Sequence, residues 1–179
     1  IIVIIILSII YIITDSKIKT VEILANYVTY ETVDELMEAS KTVIIAEPTG
    51  ERKNVIIGTG MSEYGYTLTE VTIHKVIKNS SENPLQENTK VFLTEPYHIK
   101  ERGITPGKYL KRIEEYTEMQ DSRRYILFLA EDKRSNTYGV YTGPQGKFNI
   151  DGNDIAEERN LHEPHIKHLK TQAIELSKK

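Results

Sequence analysis

The sequence predicts a mainly β protein: a small five- to six-stranded Greek-key barrel of the OB type, with an N-terminal apolar helix and a C-terminal helix beside it. Short segments rich in β-branched and aromatic residues recur between residues 42 and 150, separated by turn residues. One segment, residues 66–78, is long for a strand and changes its alternation twice, which suits the strongly coiled strands of small barrels. An open α+β sheet is the alternative architecture.

Residues 1–13 are apolar except for the hydroxyl groups of Ser8 and Tyr11. A membrane-spanning helix needs about 20 apolar residues, so this segment is too short to span a bilayer by itself. Because the sequence starts with Ile rather than Met, we expect the rest of an uncleaved membrane anchor to precede it. A cleaved signal peptide is disfavoured, since residues 14–17 offer no small residues for a cleavage site. A buried core strand or helix is the other alternative.

Residues 14–31 are expected to form a stalk between the anchor and the folded domain. A short helix then begins after Thr32, which can accept a hydrogen bond as the N-cap residue. Glu35 lies three residues later and completes a capping box. The folded domain is predicted over residues 32–150.

The first β segments of this domain are residues 42–47 and 54–57, separated by a turn. In the long segment 66–78, the apolar residues change from one parity to the other and back. Strict alternation cannot shift in this way, so the pattern predicts bulges near residues 69–70 and 74–75.

A long charged insertion, residues 96–122, lies between the strand segments 90–95 and 124–130. Connections of this length usually carry structure or function of their own, and we expect a helix over residues 109–119. The segment 124–130 is apolar on both faces, which predicts a fully buried strand.

The last β segments, residues 138–142 and 147–150, are predicted to be joined by a hairpin turn at residues 143–146. The C-terminal residues 151–179 are predicted to form an amphipathic helix that begins near Pro164, because proline is favoured at the first helical position. Its apolar side consists of Ile166, Leu169, Ala173 and Leu176.

Three motifs follow one another along the chain: Val76-Ile77-Lys78 at the end of a strand, the Tyr-Ile-Leu-Phe-Leu strand at residues 125–129, and Gly146-Lys147-Phe148. Over about residues 33–150 this order resembles a diffuse group of largely uncharacterised bacterial envelope proteins. The resemblance implies an N-terminal anchor and a barrel like that of tissue-inhibitor and netrin modules, and it supplies no catalytic residue. The chain departs from the group at Asn79, where glycine is usual, and it lacks the cysteines of the animal modules.

Composition excludes several classes of function. The chain contains no cysteine, which excludes disulfides, thiolate metal sites and a cysteine nucleophile. A net charge of −3 gives no general basic face for nucleic acid. Tyr125, Tyr138 and Tyr141 fall in or near strands, but stacking faces without a positive field make a poor single-strand binder. We therefore expect neither a nucleic-acid partner nor a cofactor.

The only cluster of potential metal ligands in the sequence comprises His162, His165 and His168. Residues three apart on a helix diverge by about 60°, so two of these imidazoles could share a metal ion. The predicted metal pair is His162 and His165; a solvated helix start is the alternative. The carboxylate pairs at residues 114–115 and 157–158 lie in charged stretches and are predicted to be exposed.

These patterns together favour a membrane-anchored, extracytoplasmic and non-enzymatic domain of the cell envelope that binds a protein or another envelope component. Residues 1–13 would contact the membrane. The insertion 96–122 and the loops at the strand ends are the expected contact surfaces, because rigid β scaffolds commonly carry function on loops. A metal-assisted hydrolase using His162 and His165, and a single-stranded nucleic-acid-binding barrel, are the alternatives.

Overall fold

A computed structural model describes residues 2–81, 83–103, 105–132 and 137–179. Within these residues the protein is mainly β, with two sheets and a few helices. The elements, in chain order, are α1 Ile2–Asp15, β1 Ile18–Ile23, α2 Val33–Ala39, β2 Thr42–Ile57, β3 Tyr64–Asn79, β4 Lys90–Glu95, β5 Tyr97–Glu101, β6 Lys108–Ile113, β7 Tyr125–Asp132, β8 Thr137–Val140, β9 Lys147–Asn149, α3 Ile155–Asn160 and α4 Pro164–Ser177. Short 3-10 turns occur at Gly60–Ser62 and Gly143–Gly146.

The larger sheet has the strand order β2-β3-β4-β8-β7-β9, and β2 also pairs with β7. The neighbours are antiparallel except for β4 and β8, which are parallel. The pairings therefore lead from β2 through β3, β4, β8 and β7 back to β2. One core cluster is formed by Ile44, Ala46, Val71, Ile73, Leu93, Met119, Tyr125, Leu127, Leu129 and Tyr138.

The pairing of the long strand β3 with β2 is irregular at both predicted places, although the extra residues opposite Glu70 belong to β2 and not to β3. The register shifts opposite Glu70 and again at His74, and a third shift occurs at Ile77. Opposite Glu70, the two predicted segments of β2 form one continuous strand in which Gly50 adopts a φ of 96°. Because a positive φ is costly for other residues, glycine permits this irregularity without a break in the strand.

Strand β7 is buried on both faces, as predicted. Leu127 and Leu129 point into the core cluster above, whereas Ile126 and Phe128 pack against the helices. Between the neighbours β2 and β8–β9, this strand occupies the centre of the domain.

Helices α2 and α4 cover the outer face of β7. Val33 and Leu36 of α2, together with Ile166, Leu169 and Ala173 of α4, form the second core cluster with Phe128 and Phe148. The predicted start of α4 at Pro164 and its apolar side are confirmed.

The predicted cap of α2 is confirmed as well. Thr32 Oγ1 accepts a hydrogen bond from the backbone N–H of Glu35 at 3.2 Å. The Glu35 carboxylate accepts the N–H of Glu31 at 3.0 Å, one residue earlier than in a standard capping box.

The predicted hairpin between β8 and β9 is wrong. Both strands pair with the same edge of β7, in line with each other, so that Leu129 faces Val140 and Leu127 faces Lys147. The turn at residues 143–146 therefore interrupts what is otherwise one strand along β7. The chain turns away from β7 at Thr142, whose φ is 55°, and comes back to it at Gly146, where a Cβ atom would lie 1.9 Å from Tyr141 O. Only glycine fits that return.

The second sheet has the order β1-β6-β5, with β1 parallel and β5 antiparallel to β6. It combines part of the predicted stalk with part of the insertion. The helix predicted over residues 109–119 is therefore wrong: Lys108–Ile113 is a strand, followed by a loop. Gly103 and Gly107, both with positive φ, bracket the connection that turns β6 back along β5.

The segment between β1 and α2 is held against the domain by one buried amide. Gln145 Oε1 accepts the N–H of Tyr30 at 2.9 Å, and Gln145 Nε2 donates to Val28 O at 3.1 Å. The hydroxyl groups of Tyr30 and Tyr141 are hydrogen-bonded at 3.0 Å. The predicted stalk is thus ordered at both of its ends, by β6 and by Gln145.

Candidate functional site

Helix α1 exposes apolar side chains around its whole circumference. Eight large side chains are each between 50% and 68% exposed: Ile4, Ile5, Ile6, Ile9, Ile10, Tyr11, Ile12 and Ile13. Consecutive residues of a helix point in directions about 100° apart, so these positions face every direction. A helix that is hydrophobic all round is normally buried. The described part of the chain does not bury this one.

None of the helices among the described residues combines the length and the apolar character that a bilayer crossing requires.

The end of α1 is attached to the second sheet by two hydrogen bonds. Asp15 Oδ1 accepts the N–H of Gly107 at 3.0 Å, and Lys17 O accepts the N–H of Lys108 at 2.9 Å. The connection between β5 and β6 therefore lies beside the last turn of α1. We call the exposed cations at this place, Lys17, Lys19 and Arg102, the basal cations.

A buried carboxylate at the end of β4 holds the insertion to the core. Glu95 accepts hydrogen bonds from Thr69 Oγ1 at 2.5 Å, from Tyr116 Oη at 2.8 Å and from the N–H of Met119 at 2.9 Å. Burial raises the pKa of Glu95 above its ordinary value, although these hydrogen bonds and Lys147 act in the opposite direction. Much of the insertion is consequently part of the core rather than a free contact loop.

A second buried carboxylate, Glu157 of α3, binds two lysines. Its oxygens lie 2.7 Å from Lys147 Nζ and 2.7 Å from Lys170 Nζ, and one also accepts the N–H of Asn149 at 2.9 Å. Burial raises the pKa of Glu157, but the two ammonium groups outweigh it and lower the pKa below its ordinary value. The prediction that the pair at residues 157–158 is exposed is wrong for Glu157, which is 2% exposed.

Aromatic rings connect the two carboxylates. Lys147 Nζ lies 4.8 Å from the ring centroid of Tyr125 and 5.5 Å from that of Tyr116, within the range of cation–π attraction. Tyr125 Oη donates to Asp154 Oδ2 at 2.7 Å, and Asp154 caps the start of α3. Each carboxylate has its hydrogen-bond donors within this buried network. The arrangement joins β4, β9, the insertion and α3, and its chemistry is structural.

The three histidines lie at the start of α4 and in the connection before it. His162 is exposed in the connection before α4, and His165 is the second residue of that helix. His168 is exposed and hydrogen-bonded to Gln172 at 2.9 Å. In the described part of the chain, no three His, Asp or Glu side chains are arranged to hold a metal ion. A two-histidine site at His162 and His165 stays a prediction.

His165 lines an acidic cleft of about 350 Å³, together with Tyr27, Glu114, Glu115 and Glu163. His165 Nδ1 lies 3.9 Å from Glu163 Oε2. Burial, and then Glu115 and the other two carboxylates, raise the pKa of Tyr27. The cleft therefore repels anions and is an unsuitable place for a phosphate or a nucleic-acid backbone.

No family model, no curated protein and no solved structure matches this chain. Two surfaces of the molecule differ from an ordinary protein surface: the apolar circumference of α1 and the basal cations beside it. The residue pattern of the sequence indicates the apolar surface of α1. The basal cations could not be found in this way, because the β1–β6 pairing brings Arg102 to the end of α1.

Proposed function

We propose that this protein is a membrane-anchored, extracytoplasmic binding domain of the cell envelope, without catalytic activity of its own. The observation that carries the proposal is α1: eight large apolar side chains, half or more exposed, on a helix whose end is hydrogen-bonded to the folded domain. Transfer of such a surface from water to hydrocarbon is favourable, at about 25 cal/mol for each Å² of apolar area. The ligand is a protein or another envelope component, bound through the strand-end loops.

We further propose that the larger sheet is an OB-like barrel, as in the envelope proteins that the sequence resembles. The pairing of Thr42–Ala46 with Tyr125–Leu129 supports this, because it returns the series β2-β3-β4-β8-β7 to its first strand. The three register shifts between β2 and β3 support it too, since bulges produce the coiling that closure requires. The enclosed cluster, with Ile73 and Leu93 fully buried, has the dense side-chain filling of small barrels.

The absence of catalysis is part of the proposal. Glu95, Asp154 and Glu157 are the buried carboxylates described above, and each accepts hydrogen bonds from groups of the core. The acidic groups around His165 line a separate cleft that contains neither Glu95 nor Glu157. These observations favour a scaffold that presents its loops to a partner.

The experiment that tests this proposal is protease treatment of intact cells that express the full chain with a C-terminal tag. We expect the tag to sediment with membranes, to resist extraction by high salt, and to be degraded by external protease. Replacement of Ile5 and Ile9 by Asp should release the protein from membranes, because charges in the apolar helix oppose insertion. The matched control is Ile155→Asp, at an isoleucine that is 63% exposed outside α1. Recovery of the unmodified chain in the cytosol would contradict the proposal.

A further inference from the structure

We propose that the basal cations Lys17, Lys19 and Arg102 form a docking surface for anionic lipid headgroups, which seats the domain directly on the bilayer. This inference rests on the proposed membrane anchor, and it adds the chemistry of the surface on which the domain sits. Its three residues come from two distant parts of the chain.

Position is the first argument. Lys17 lies four residues after Ile13, the last exposed apolar residue of α1, and a helix advances about 1.5 Å per residue. Arg102 is brought to the same level because its N–H donates to Gly107 O at 3.1 Å, while Gly107 donates to Asp15. A layer that contains α1 therefore has its polar boundary at these side chains.

Charge is the second argument. Two of the acidic groups around the basal cations are paired with other cations: Glu22 lies 2.9 Å from Arg112, and Glu101 lies 2.8 Å from Lys108. Asp15 accepts the backbone N–H of Gly107, so its carboxylate offsets one of the three positive charges and leaves the surface positive. Among the described residues, the three basal cations have no ion-pair partner. The whole chain has a net charge of −3, so this local positive charge is not a general property of the surface.

Side-chain chemistry is the third argument. The Arg102 guanidinium lies 5.3 Å from the ring centroid of Tyr109, which holds it near the end of α1. Tyrosine and arginine are both suited to a membrane interface, because the apolar part of the side chain can face the hydrocarbon while its polar end faces the headgroups and water. Nucleic acid and acidic proteins also bind cations. However, the basal cations directly follow the apolar circumference of α1. Only a lipid layer offers both hydrocarbon for the apolar helix and anionic headgroups for the cations.

The test is flotation of the purified full chain with vesicles of phosphatidylcholine, either alone or with about one third phosphatidylglycerol. A cation near an anionic bilayer surface contributes on the order of fivefold to binding, so three contribute roughly a hundredfold at low salt. We expect tighter binding to the anionic vesicles, and we expect this preference to fall as salt shortens the Debye length. The variant that reverses all three basal cations, Lys17→Glu with Lys19→Glu and Arg102→Glu, should lose the preference and still bind neutral vesicles.

The matched control is Lys41→Glu with Lys167→Glu and Lys179→Glu, which reverses three exposed lysines elsewhere and changes the net charge by the same amount. It should keep most of the preference for anionic vesicles. Equal binding of the unmodified chain to both vesicles, or equal losses in the two triple variants, would overturn this inference and leave the anchor intact. Failure to bind either vesicle would instead contradict the anchor. Tighter binding to single-stranded DNA than to anionic vesicles would also overturn it.

Discussion

The core of the larger sheet and helix α1 differ in how far their side chains are exposed to water. Around Glu157, even charged groups are removed from water, and each finds its partner within the domain. Along α1, the least polar residues of the chain remain exposed. The charged groups around Glu157 are thus paired within the described chain, whereas the apolar surface of α1 has no counterpart there.

The largest effect is expected from Glu157→Ala, which would leave Lys147 and Lys170 buried without their shared carboxylate. Removal of one partner from a buried ion pair costs about 3–5 kcal/mol of unfolding free energy. Urea denaturation of the full chain measures the loss. The control is Glu158→Ala: this side chain is 52% exposed and contacts only Lys170, so its removal should cost at most about 1 kcal/mol. Equal losses of unfolding free energy in the two variants would contradict a stabilising role for the buried ion pairs of Glu157.

The two buried carboxylates should respond to pH in opposite directions. The pKa of Glu157 is lowered by its lysines, so its stabilising contribution is present above the ordinary value of 4.5 and is lost as the pH falls through the folded-state pKa. The pKa of Glu95 is raised by burial, so its contribution is present below 4.5 and is lost as the pH rises through the folded-state pKa.

Unfolding free energies of wild type, Glu157→Gln and Glu95→Gln, measured across this pH range, test these signs. The advantage of wild type over Glu157→Gln should shrink on acidification. The advantage of wild type over Glu95→Gln should shrink as the pH is raised above 4.5. A parallel response of the two pairs would show that the lysines, and not burial, control both carboxylates.

A smaller effect is expected at the cap of α2. Thr32→Ala removes the oxygen that accepts the Glu35 N–H and should cost about 1 kcal/mol. Thr32→Ser keeps that oxygen and should retain most of the stability. Thermal unfolding of both variants provides the measurement. If alanine and serine behave alike, packing of α2 against α4 holds this end of the domain without help from the cap.

The smallest effect on stability is expected in α1 itself. Ile5→Asp together with Ile9→Asp should change the unfolding free energy of the domain by less than about 0.5 kcal/mol, as surface substitutions do. The measurement is urea denaturation in the presence of a mild detergent. A loss as large as that of Glu157→Ala would break the comparison, because it would show that α1 is part of the folded core.

The sequence pattern predicts the elements that depend on local periodicity. The helix α4, the cap of α2, the doubly buried β7 and the irregular pairing along β3 all follow from the spacing of apolar residues or from capping chemistry. The pattern fails where a distant partner decides the outcome. β6 is a strand because β1 and β5 flank it, and β9 lies beside β7 although a turn-like sequence precedes it.

Burial of Glu157 could not be predicted for the same reason. Its neighbours along the chain are charged, and its partners Lys147 and Lys170 lie 10 and 13 residues away. A buried charge is tolerated only with such partners, and their arrival depends on the tertiary fold. The basal cations illustrate the same point, since Arg102 is far from Lys17 in sequence.

The pairing of β1 with β6 also decides how far the domain can reach. As a flexible coil, the six residues of β1 would have a root-mean-square span of about 13 Å and would let the domain swing above its point of attachment. As a strand in parallel register with β6, they allow no such swing. In the proposed membrane-anchored state, a partner would therefore have to reach the loops at a fixed distance from the bilayer, and crowding at the bilayer rather than the length of a tether would govern its access.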